Sequence, residues 1–374
     1  MKFQTKYGYF TDDGREFVIT NYHTPRPWIN VISNGNYGLT VSQLNGGFSW
    51  IGHSNFNRLT RWNQDLILDN WGKYIYLRDD DTAEFWSPTI QPVKNDLQAY
   101  QCRHGIGYTR FYSLYNDIEA HLRIFVPFDV DLEIWTLTLK NNSQRRRRIS
   151  IFTYFEWCLG AAPDNHREFH KTFIETDFNS EHQILLAKKR LWEIPTSRGH
   201  WNAQWDSVAY FSCSEPVDGC EGDKEAFIGQ YNNLQQPQAV KNGALTNNCG
   251  KWNDSIASLH KRIELNPTEE KTVHFYLGAE KDDHVIYSQI KKLRSDEEIK
   301  AAFTQMRERW EYYLNGTHIE TPDDAVNFMS NTWLKYQAIS GRIWGRAAYY
   351  QQSGAYGFRD QLQDSQIFLY NQPR

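Results

Sequence analysis

Alternating apolar and polar residues dominate the first three quarters of the chain. In the segment LEIWTLTLKNNSQRRRRISIFTYFEW, Trp135, Leu137 and Leu139 alternate with their neighbours, a polar stretch follows, and a second alternating run begins at Ile149. A period of two residues is typical of β-strands, so this segment is predicted to form an antiparallel hairpin. Many similar units at short spacing predict a large β-sandwich over residues 1–278.

Near residue 280 the apolar period changes from two to between three and four. Ser295 and Glu298 have the spacing of a capping box, which predicts that a helix begins there. Apolar residues then follow on one predicted helix face: Ile299, Phe303, Met306, Trp310 and Tyr313. Residues 279–320 are therefore predicted to form a helical linker.

A third region, residues 321–374, is also predicted to be helical. Thr321 is the predicted N-cap and Pro322 the first helical residue. The helical spacing continues at Val326, Met329, Trp333 and Tyr336, and a further helix is predicted to begin at Phe358 or Arg359. The fold class predicted from the pattern is multidomain, β followed by α, with an all-α region that is incomplete.

Charge and hydropathy exclude several classes of partner. The 374 residues carry 41 Lys and Arg against 45 Asp and Glu, a net charge of -4, so neither nucleic acid nor a membrane is expected as a partner. The arginines at 145–148 flank a predicted turn and are expected to be solvated. Five cysteines without C-x-x-C spacing predict neither a disulfide framework nor zinc, and no signal-like run is present, so a cytoplasmic protein is expected.

Aromatic residues make up 15% of the chain, including 14 Trp. Most are expected to fill the core between packed sheets, where each buries a large area. Others could present a flat surface to sugar rings, and composition does not separate the two.

Chemistry-bearing residues concentrate in YYQQSGAYGFRDQLQD, residues 349–364. Asp360 and Asp364 are four residues apart and thus share a helix face near a helix N-terminus, which favours ionised carboxylates. Carboxylates beside Arg359 suit hydrogen bonds with sugar hydroxyls. The alternative is that these residues only cap and solvate the helix.

One other spacing suggests a site. His166 and His170 in HREFH have the spacing of a metal pair, but Glu168 is one position too late for the metalloprotease motif, so no metal site is expected.

Several segments, in order along the chain, resemble the cellobiose and chitobiose phosphorylases of glycoside hydrolase family 94. They are YGYFTDDGREFVITNYHTPRPWIN, GLTVSQLNGGFSW, NRLTRWNQD, GKYIYLRD, RHGIGYTRF and RAAYYQQSGAYGFRDQLQD. The resemblance implies an N-terminal β-supersandwich, a helical linker and the start of an (α/α)6 barrel. It also implies reversible phosphorolysis of a β-glycosidic bond with inversion, giving an α-sugar 1-phosphate, with phosphate as co-substrate and no cofactor.

The family's general acid is an Asp in a D-W-N-D segment of the barrel. The nearest match here, Trp252-Asn253-Asp254, follows Lys251 in the β-rich region, so no catalytic residue is assigned and the acid is expected to lie beyond the chain end. The resemblance therefore implies an N-terminal part that is inactive alone.

The resemblance assigns binding roles residue by residue. Arg346 in WGRAAYYQ matches a phosphate-binding arginine, Arg359 and Asp360 match the family's sugar-binding pair, and Asp364 is a further carboxylate near the sugar. The family is typically dimeric, which makes Asn165, His166 and Arg167 candidates for contacts to the acceptor sugar of the neighbouring subunit.

Three alternatives stay open at this stage. The chain could be a carbohydrate-binding or dimerisation module without activity. It could be the phosphorylase-like domain of a cyclic β-1,2-glucan synthase, which the form YQQSGAYGFRDQLQD also resembles. A third alternative is an inverting hydrolase on an (α/α)6 barrel.

Overall fold

A computed structural model describes residues 1–162, 168–190, 205–346 and 357–371. In these residues the strands form one sheet of ten strands, in the order β1-β2-β9-β10-β11-β12-β19-β16-β15-β14, and one of nine. The second sheet has the order β17-β18-β13-β6-β5-β4-β3, with β7 paired to β13 and β8 to β7. The strands are β1 Gly8–Phe10, β2 Glu16–Ile19, β3 Ile29–Ser33, β4 Tyr37–Ser42, β5 Ser49–Ile51, β6 Arg58–Thr60, β7 Tyr74–Asp79, β8 Phe85–Trp86, β9 Ala99–Gly105, β10 Tyr108–Tyr115, β11 Ile118–Phe125, β12 Leu132–Asn141, β13 Arg147–Gly160, β14 Ile174–Asn179, β15 Ile184–Lys189, β16 Val208–Cys213, β17 Gly219–Asp223, β18 Ser255–Leu265 and β19 Glu270–Glu280.

Two short helices lie between β17 and β18, and the other helices follow the sandwich along the chain. The helices are α1 Lys224–Ile228, α2 Gln238–Asn242, α3 Asp283–Lys292, α4 Asp296–Leu314, α5 Asp324–Phe328, α6 Leu334–Gln337, α7 Phe358–Ser365 and α8 Ile367–Asn371. Two π-helical segments, Met329–Trp333 and Ala338–Gly345, join α5 and α6 into one helical run over 324–345. The division into 1–278, 279–320 and 321–374 stays a prediction; β19 ends at Glu280 and α4 at Leu314.

The predicted hairpin of β12 and β13 is wrong. β12 pairs with β11 and β19 in the ten-stranded sheet, whereas β13 pairs with β18, β7 and β6 in the other sheet. The two strands face each other across the core, and the rings of Trp135 and Phe155 lie 6.2 Å apart, edge to face. The short connection after β12 passes from one sheet to the other instead of closing a hairpin. The prediction failed because alternation shows which face of a strand is buried but not which strand it pairs with.

The arginines at 145–148 are not all solvated, which corrects that expectation for Arg147. Its guanidinium is buried, lies 2.8 Å from the Asp79 carboxylate at the end of β7, and donates to the Asn116 carbonyl oxygen at 2.8 Å. Arg146 and Arg148 are more than half exposed and pair with Glu264 and Asp81. Neighbouring residues on a strand point to opposite faces, so a run of like charges is divided between core and solvent.

A buried ion pair joins the two sheets. The Lys73 ammonium nitrogen, just before β7, lies 2.5 Å and 2.8 Å from the two carboxylate oxygens of Glu133 on β12. Ser49 and the Trp135 indole N–H also donate to Glu133, at 2.6 Å and 2.7 Å, and the Tyr37 hydroxyl donates at 3.3 Å. Burial lowers the pKa of Lys73, while the Glu133 charge opposes that shift. The two opposite charges of Lys73 and Glu133 are stable in the core because they are paired and because nearly every polar atom around them has a hydrogen-bond partner.

Helix α4 covers the face of the ten-stranded sheet that points away from the sandwich core. Ile299, Phe303, Met306 and Trp310 are buried there, as predicted, and Tyr313 is partly buried against the same cluster. Phe303 packs edge to face against Tyr108 at 5.3 Å. Gly107 has a positive φ of 80°, and a Cβ at this position would lie 2.4 Å from the Trp310 indole nitrogen, so the close approach of helix and sheet requires glycine.

The predicted helix caps are wrong in detail. Ser295 is the N-cap of α4, but its hydroxyl bonds to the Glu297 carboxylate at 2.6 Å, so no capping box with Glu298 forms. Asp323, not Thr321, caps α5, because its carboxylate accepts from the Ala325 N–H at 2.8 Å.

Of the four residues predicted to share the buried face of the next helix, only two are buried. Trp333 and Tyr336 are buried, while Val326 and Met329 are exposed. The π-helical segment Met329–Trp333 has more residues per turn than an α-helix and so changes the direction in which later side chains point. The helix predicted to begin at Phe358 does begin there.

Among the described residues, no helix is long and apolar enough to cross a membrane. The five cysteines are free thiols, and the sulfur atoms of Cys220 and Cys249 lie 3.9 Å apart.

Two buried histidines are held as neutral rings. His104 contacts the Trp28 carbonyl oxygen and the Thr109 hydroxyl, both at 3.0 Å, and His260 contacts the Ser150 hydroxyl at 2.9 Å. Burial lowers the pKa of each to about 4. Protonating either ring in the folded protein therefore costs free energy that protonation in the unfolded chain does not.

Replacing Lys73 with Met is expected to lower the free energy of unfolding by about 3–5 kcal/mol, because Glu133 is left charged and buried. The double variant Lys73→Met/Glu133→Leu is expected to lose less, since no unpaired charge remains. Urea unfolding of both variants measures the difference. An equal loss in the two variants would show that the pair is not the source of the effect.

Stability is also expected to fall as the pH drops from about 6.5 towards 5. The unfolded chain takes up protons on His104 and His260 there and the folded chain does not, so each contributes a slope of up to about 1.4 kcal/mol per pH unit. Urea unfolding over this range measures the slope. His104→Gln should reduce it, whereas His23→Gln, at an exposed position, should not; equal slopes in the two variants would contradict this assignment.

Candidate active site

The helical run over 324–345 is fixed to strand β3 by two hydroxyl groups. The Tyr336 hydroxyl bonds to the Asn30 side-chain oxygen and the Val31 carbonyl oxygen, each at 2.9 Å. The Ser340 hydroxyl donates to the same Val31 carbonyl at 2.5 Å. The end of the run is therefore positioned by the sandwich, and this end carries the first predicted site residue.

Arg346 lies at the point where the helical run ends against the β5–β6 turn. Its backbone is left-handed, with φ 47°, which is uncommon for a residue with a side chain. Its guanidinium donates to the Gly52 carbonyl oxygen at 3.2 Å, and the Ser54 hydroxyl donates to its carbonyl oxygen at 3.4 Å. Burial, together with the Arg346 charge, lowers the pKa of His53. Arg346 is thus a cation held at the boundary between sandwich and helices.

The other predicted sugar-binding residues share helix α7. Arg359 is 84% exposed, and its Nε lies 3.4 Å from the Asp360 carboxylate. Asp360 and Asp364 are 42% and 34% exposed. Asp360 and Asp364 therefore lie on one face of the helix, as their i, i+4 spacing predicted, and both are partly exposed.

Arg342 was not predicted, and it joins the two carboxylates. Its Nε lies 3.1 Å from the Asp364 carboxylate and one Nη lies 3.5 Å from that of Asp360. Arg342 lies four residues before Arg346 in GRIWGR, so two cations one helical turn apart were the signal that sequence reasoning overlooked. The structure brings Arg342, Asp360 and Asp364 into one cluster and places Arg346 separately, on the sandwich turn at Gly52.

Other sequence candidates have structural roles or fall outside the description. Asp254, in the near-match to the acid segment, pairs with Lys171 and lies 3.8 Å from Lys224. Asn165, His166 and Arg167 lie outside the described residues. Within the part of the chain that the structure describes, no group of three or more His, Cys, Asp or Glu side chains could hold a metal ion.

Two family models match successive parts of the chain. Residues 15–296 match the glycosyl hydrolase 94 supersandwich domain, and residues 309–374 match the glycosyl hydrolase 94 superfamily catalytic domain. A cyclic β-(1,2)-glucan synthase of Rhizobium meliloti is 32% identical over 377 residues, which cover 100% of this chain and 13% of that protein.

Two disaccharide phosphorylases are similarly related. An N,N'-diacetylchitobiose phosphorylase of Vibrio proteolyticus is 31% identical over 96% of this chain and 44% of its own length. A solabiose phosphorylase of Paenibacillus borealis is 32% identical over 96% of this chain and 45% of its own length. The chain thus spans less than half the length of the curated relatives it matches. It belongs to glycoside hydrolase family 94 and comprises the β-supersandwich, linker helices and the first helices of the catalytic domain.

Proposed function

We propose that this chain is the N-terminal part of an inverting β-glycoside phosphorylase. The reaction would cleave a β-linked gluco-disaccharide or oligosaccharide with phosphate and release an α-sugar 1-phosphate. The observation that carries the proposal is the exposed charged face of α7, Arg359, Asp360 and Asp364, at the start of a family 94 catalytic domain. Relatives named as chitobiose and solabiose phosphorylases support the reaction class.

The chemistry needs fewer groups than hydrolysis does. A phosphate oxygen attacks the anomeric carbon, the glycosidic C–O bond breaks with its electrons going to the leaving oxygen, and a general acid protonates that oxygen. Phosphate arrives as an anion, so no base is needed to activate it. The acid would come from the remainder of the barrel, and phosphate would be the co-substrate without a further cofactor.

Each residue of the site has a proposed role. Arg346 would hold phosphate, because a guanidinium suits bidentate binding of an oxyanion. Arg359, Asp360 and Asp364 would bind hydroxyls of the donor sugar. Arg342 would be a positioning residue that keeps the two carboxylates on one side of α7 through its contacts at 3.5 Å and 3.1 Å.

We also propose the setting in which the protein works. It would be a cytoplasmic homodimer in which Asn165, His166 and Arg167 contact the acceptor sugar of the neighbouring subunit. The support is the family resemblance and the near-balanced charge, with a net of -4, which favours neither nucleic acid nor a membrane surface.

Two other functions have specific support. The match over 100% of this chain to a cyclic β-(1,2)-glucan synthase favours a phosphorylase-like domain of such an enzyme. A cleft of about 430 Å³ in the sandwich favours carbohydrate binding: Trp71 lines it beside the buried Glu156, whose carboxylate is paired with Lys224 at 2.5 Å and with Arg61 at 3.7 Å.

The test is phosphorolysis by the polypeptide in which this chain is joined to the rest of the barrel. We expect release of an α-sugar 1-phosphate from a β-linked disaccharide only when phosphate is present. Asp360→Asn should lower kcat/KM by about 10- to 100-fold, because a charge-assisted bond to the sugar is lost. Arg342→Met should raise KM more than it lowers kcat, and Arg342→Lys should have a smaller effect.

Arg146→Met is the matched control, since Arg146 is an exposed arginine paired on the sandwich surface. Sugar release that continues unchanged without phosphate would replace the proposal with a hydrolase. Sugar binding without any turnover would favour the carbohydrate-binding function. Cleavage restricted to β-1,2-linked glucans would assign the chain to the glucan synthase type.

A further inference from the structure

A second cleft lies where helix α4 begins, on the face of the ten-stranded sheet that α4 covers. Its volume is about 430 Å³. Strands β10, β11, β12 and β19 form one wall, and the first turn of α4 forms the other. The polar side chains that matter for its chemistry are Arg110, Arg123, Thr136, His274, Asp296 and Lys300.

Three arginines form a row across neighbouring strands of this sheet. Arg103 is directly opposite Arg110, and Arg110 is directly opposite Arg123. Like charges in directly opposed positions destabilise a sheet, so the row needs compensation. Glu16 gives part of it: its carboxylate lies 3.3 Å from the Arg103 guanidinium and 3.7 Å from that of Arg110, and it also accepts from the Tyr108 hydroxyl.

Arg123 has no such compensation. Among the described residues, no carboxylate oxygen lies within 4.0 Å of its guanidinium, its only hydrogen bond is to the Thr136 hydroxyl at 3.5 Å, and its Nε has no partner. The guanidinium carbon is held 4.1 Å from the centre of the Phe303 ring. Burial, with a contribution from Arg110, lowers the pKa of Arg123 to about 10, so it is cationic at neutral pH.

Two acidic residues line the cleft, Asp296 on the helix side and Glu270 on the strand side. Asp296 accepts from His274 at 2.9 Å, and the other ring nitrogen of His274 contacts the Thr136 hydroxyl at 3.1 Å. On the helix side Lys300 forms no ion pair within the described part of the chain. Cations therefore line both walls of the cleft, and the three of them, Arg110, Arg123 and Lys300, outnumber the two carboxylates.

We propose that this cleft binds a phosphate group, either inorganic phosphate or that of a sugar phosphate. Arg123 and Arg110 are directly opposed on adjacent strands, so they can contact different oxygens of one phosphate, and Lys300 adds a third cationic donor. A phosphate has more acceptor oxygens than a carboxylate and matches this number of donors. The cleft shares no lining residue with the cluster of Arg342, Asp360 and Asp364, so the inference goes beyond the proposed function.

An occupant would link the sandwich to the linker helix. Arg110 and Arg123 belong to the sheet, while Lys300 belongs to α4. Binding to the folded state alone raises thermal stability with ligand concentration. Phosphate or a sugar phosphate would therefore stabilise the packing of α4 on the sheet.

The test uses thermal unfolding and calorimetric titration of the 374-residue chain at constant ionic strength, with inorganic phosphate replacing chloride. Arg123→Met should raise the melting temperature without phosphate, because it removes a like-charge contact, and should weaken phosphate binding about tenfold or more. Arg148→Met, which removes an exposed arginine paired with Asp81, should leave phosphate binding unchanged. Arg346→Met should lose only the phosphate bound at the proposed active site and should retain the phosphate binding that Arg123→Met weakens, which separates the two sites.

If Arg123→Met does not fold, Arg123→Lys keeps the charge but loses the bidentate geometry, and should weaken binding while the fold persists. Tighter binding of a hexose 1-phosphate than of inorganic phosphate supports a sugar-phosphate site, and equal binding supports a site for phosphate alone. The proposal is overturned if Arg123→Met or Arg123→Lys binds phosphate as the unaltered chain does. It is also overturned if the Arg346→Met variant binds no phosphate.

Discussion

The structure depends most on the buried ion pair between Lys73 and Glu133. Glu133 is on the ten-stranded sheet, Lys73 precedes a strand of the other sheet, and Ser49, Trp135 and Tyr37 complete the polar atoms around the pair. A polar network of this kind is stable only if both sheets keep their relative position, since displacing either leaves a charge buried without a partner. Stacked apolar faces alone tolerate sliding, so the network contributes specificity to a core that aromatic packing stabilises.

The fixed position of the two sheets also positions the candidate active site. Fixed sheets fix strand β3, and β3 provides the Val31 carbonyl oxygen to which Tyr336 and Ser340 bond. The helical run that contains them ends at Arg346, on the turn at Gly52. Arg346, the candidate cation for binding phosphate, is therefore positioned by the sandwich. The candidate sugar-binding carboxylates, Asp360 and Asp364, lie on α7 and are positioned by their contacts with Arg342 of the helical run.

The two faces of the ten-stranded sheet lie in different environments. One face forms the sandwich core, and the other packs against α4 with an arginine row whose charge is only partly compensated. Residues that alternate along one strand serve these two environments, so Leu122 packs in the sandwich core while Arg123 faces α4. This division makes the junction between sandwich and linker chemically distinct from the catalytic domain.

The sequence by itself determined the order of β then α, the buried face of α4 and the charged face of α7, because these follow from local periodicity. Resemblance over the whole chain determined the family. Tertiary structure alone decided that β12 and β13 belong to opposite sheets, that Arg147 is buried against Asp79, and that Arg342 holds Asp360 and Asp364. These are contacts between residues up to about 120 positions apart or between separate helices, and local alternation carries no information on which distant partner a side chain meets.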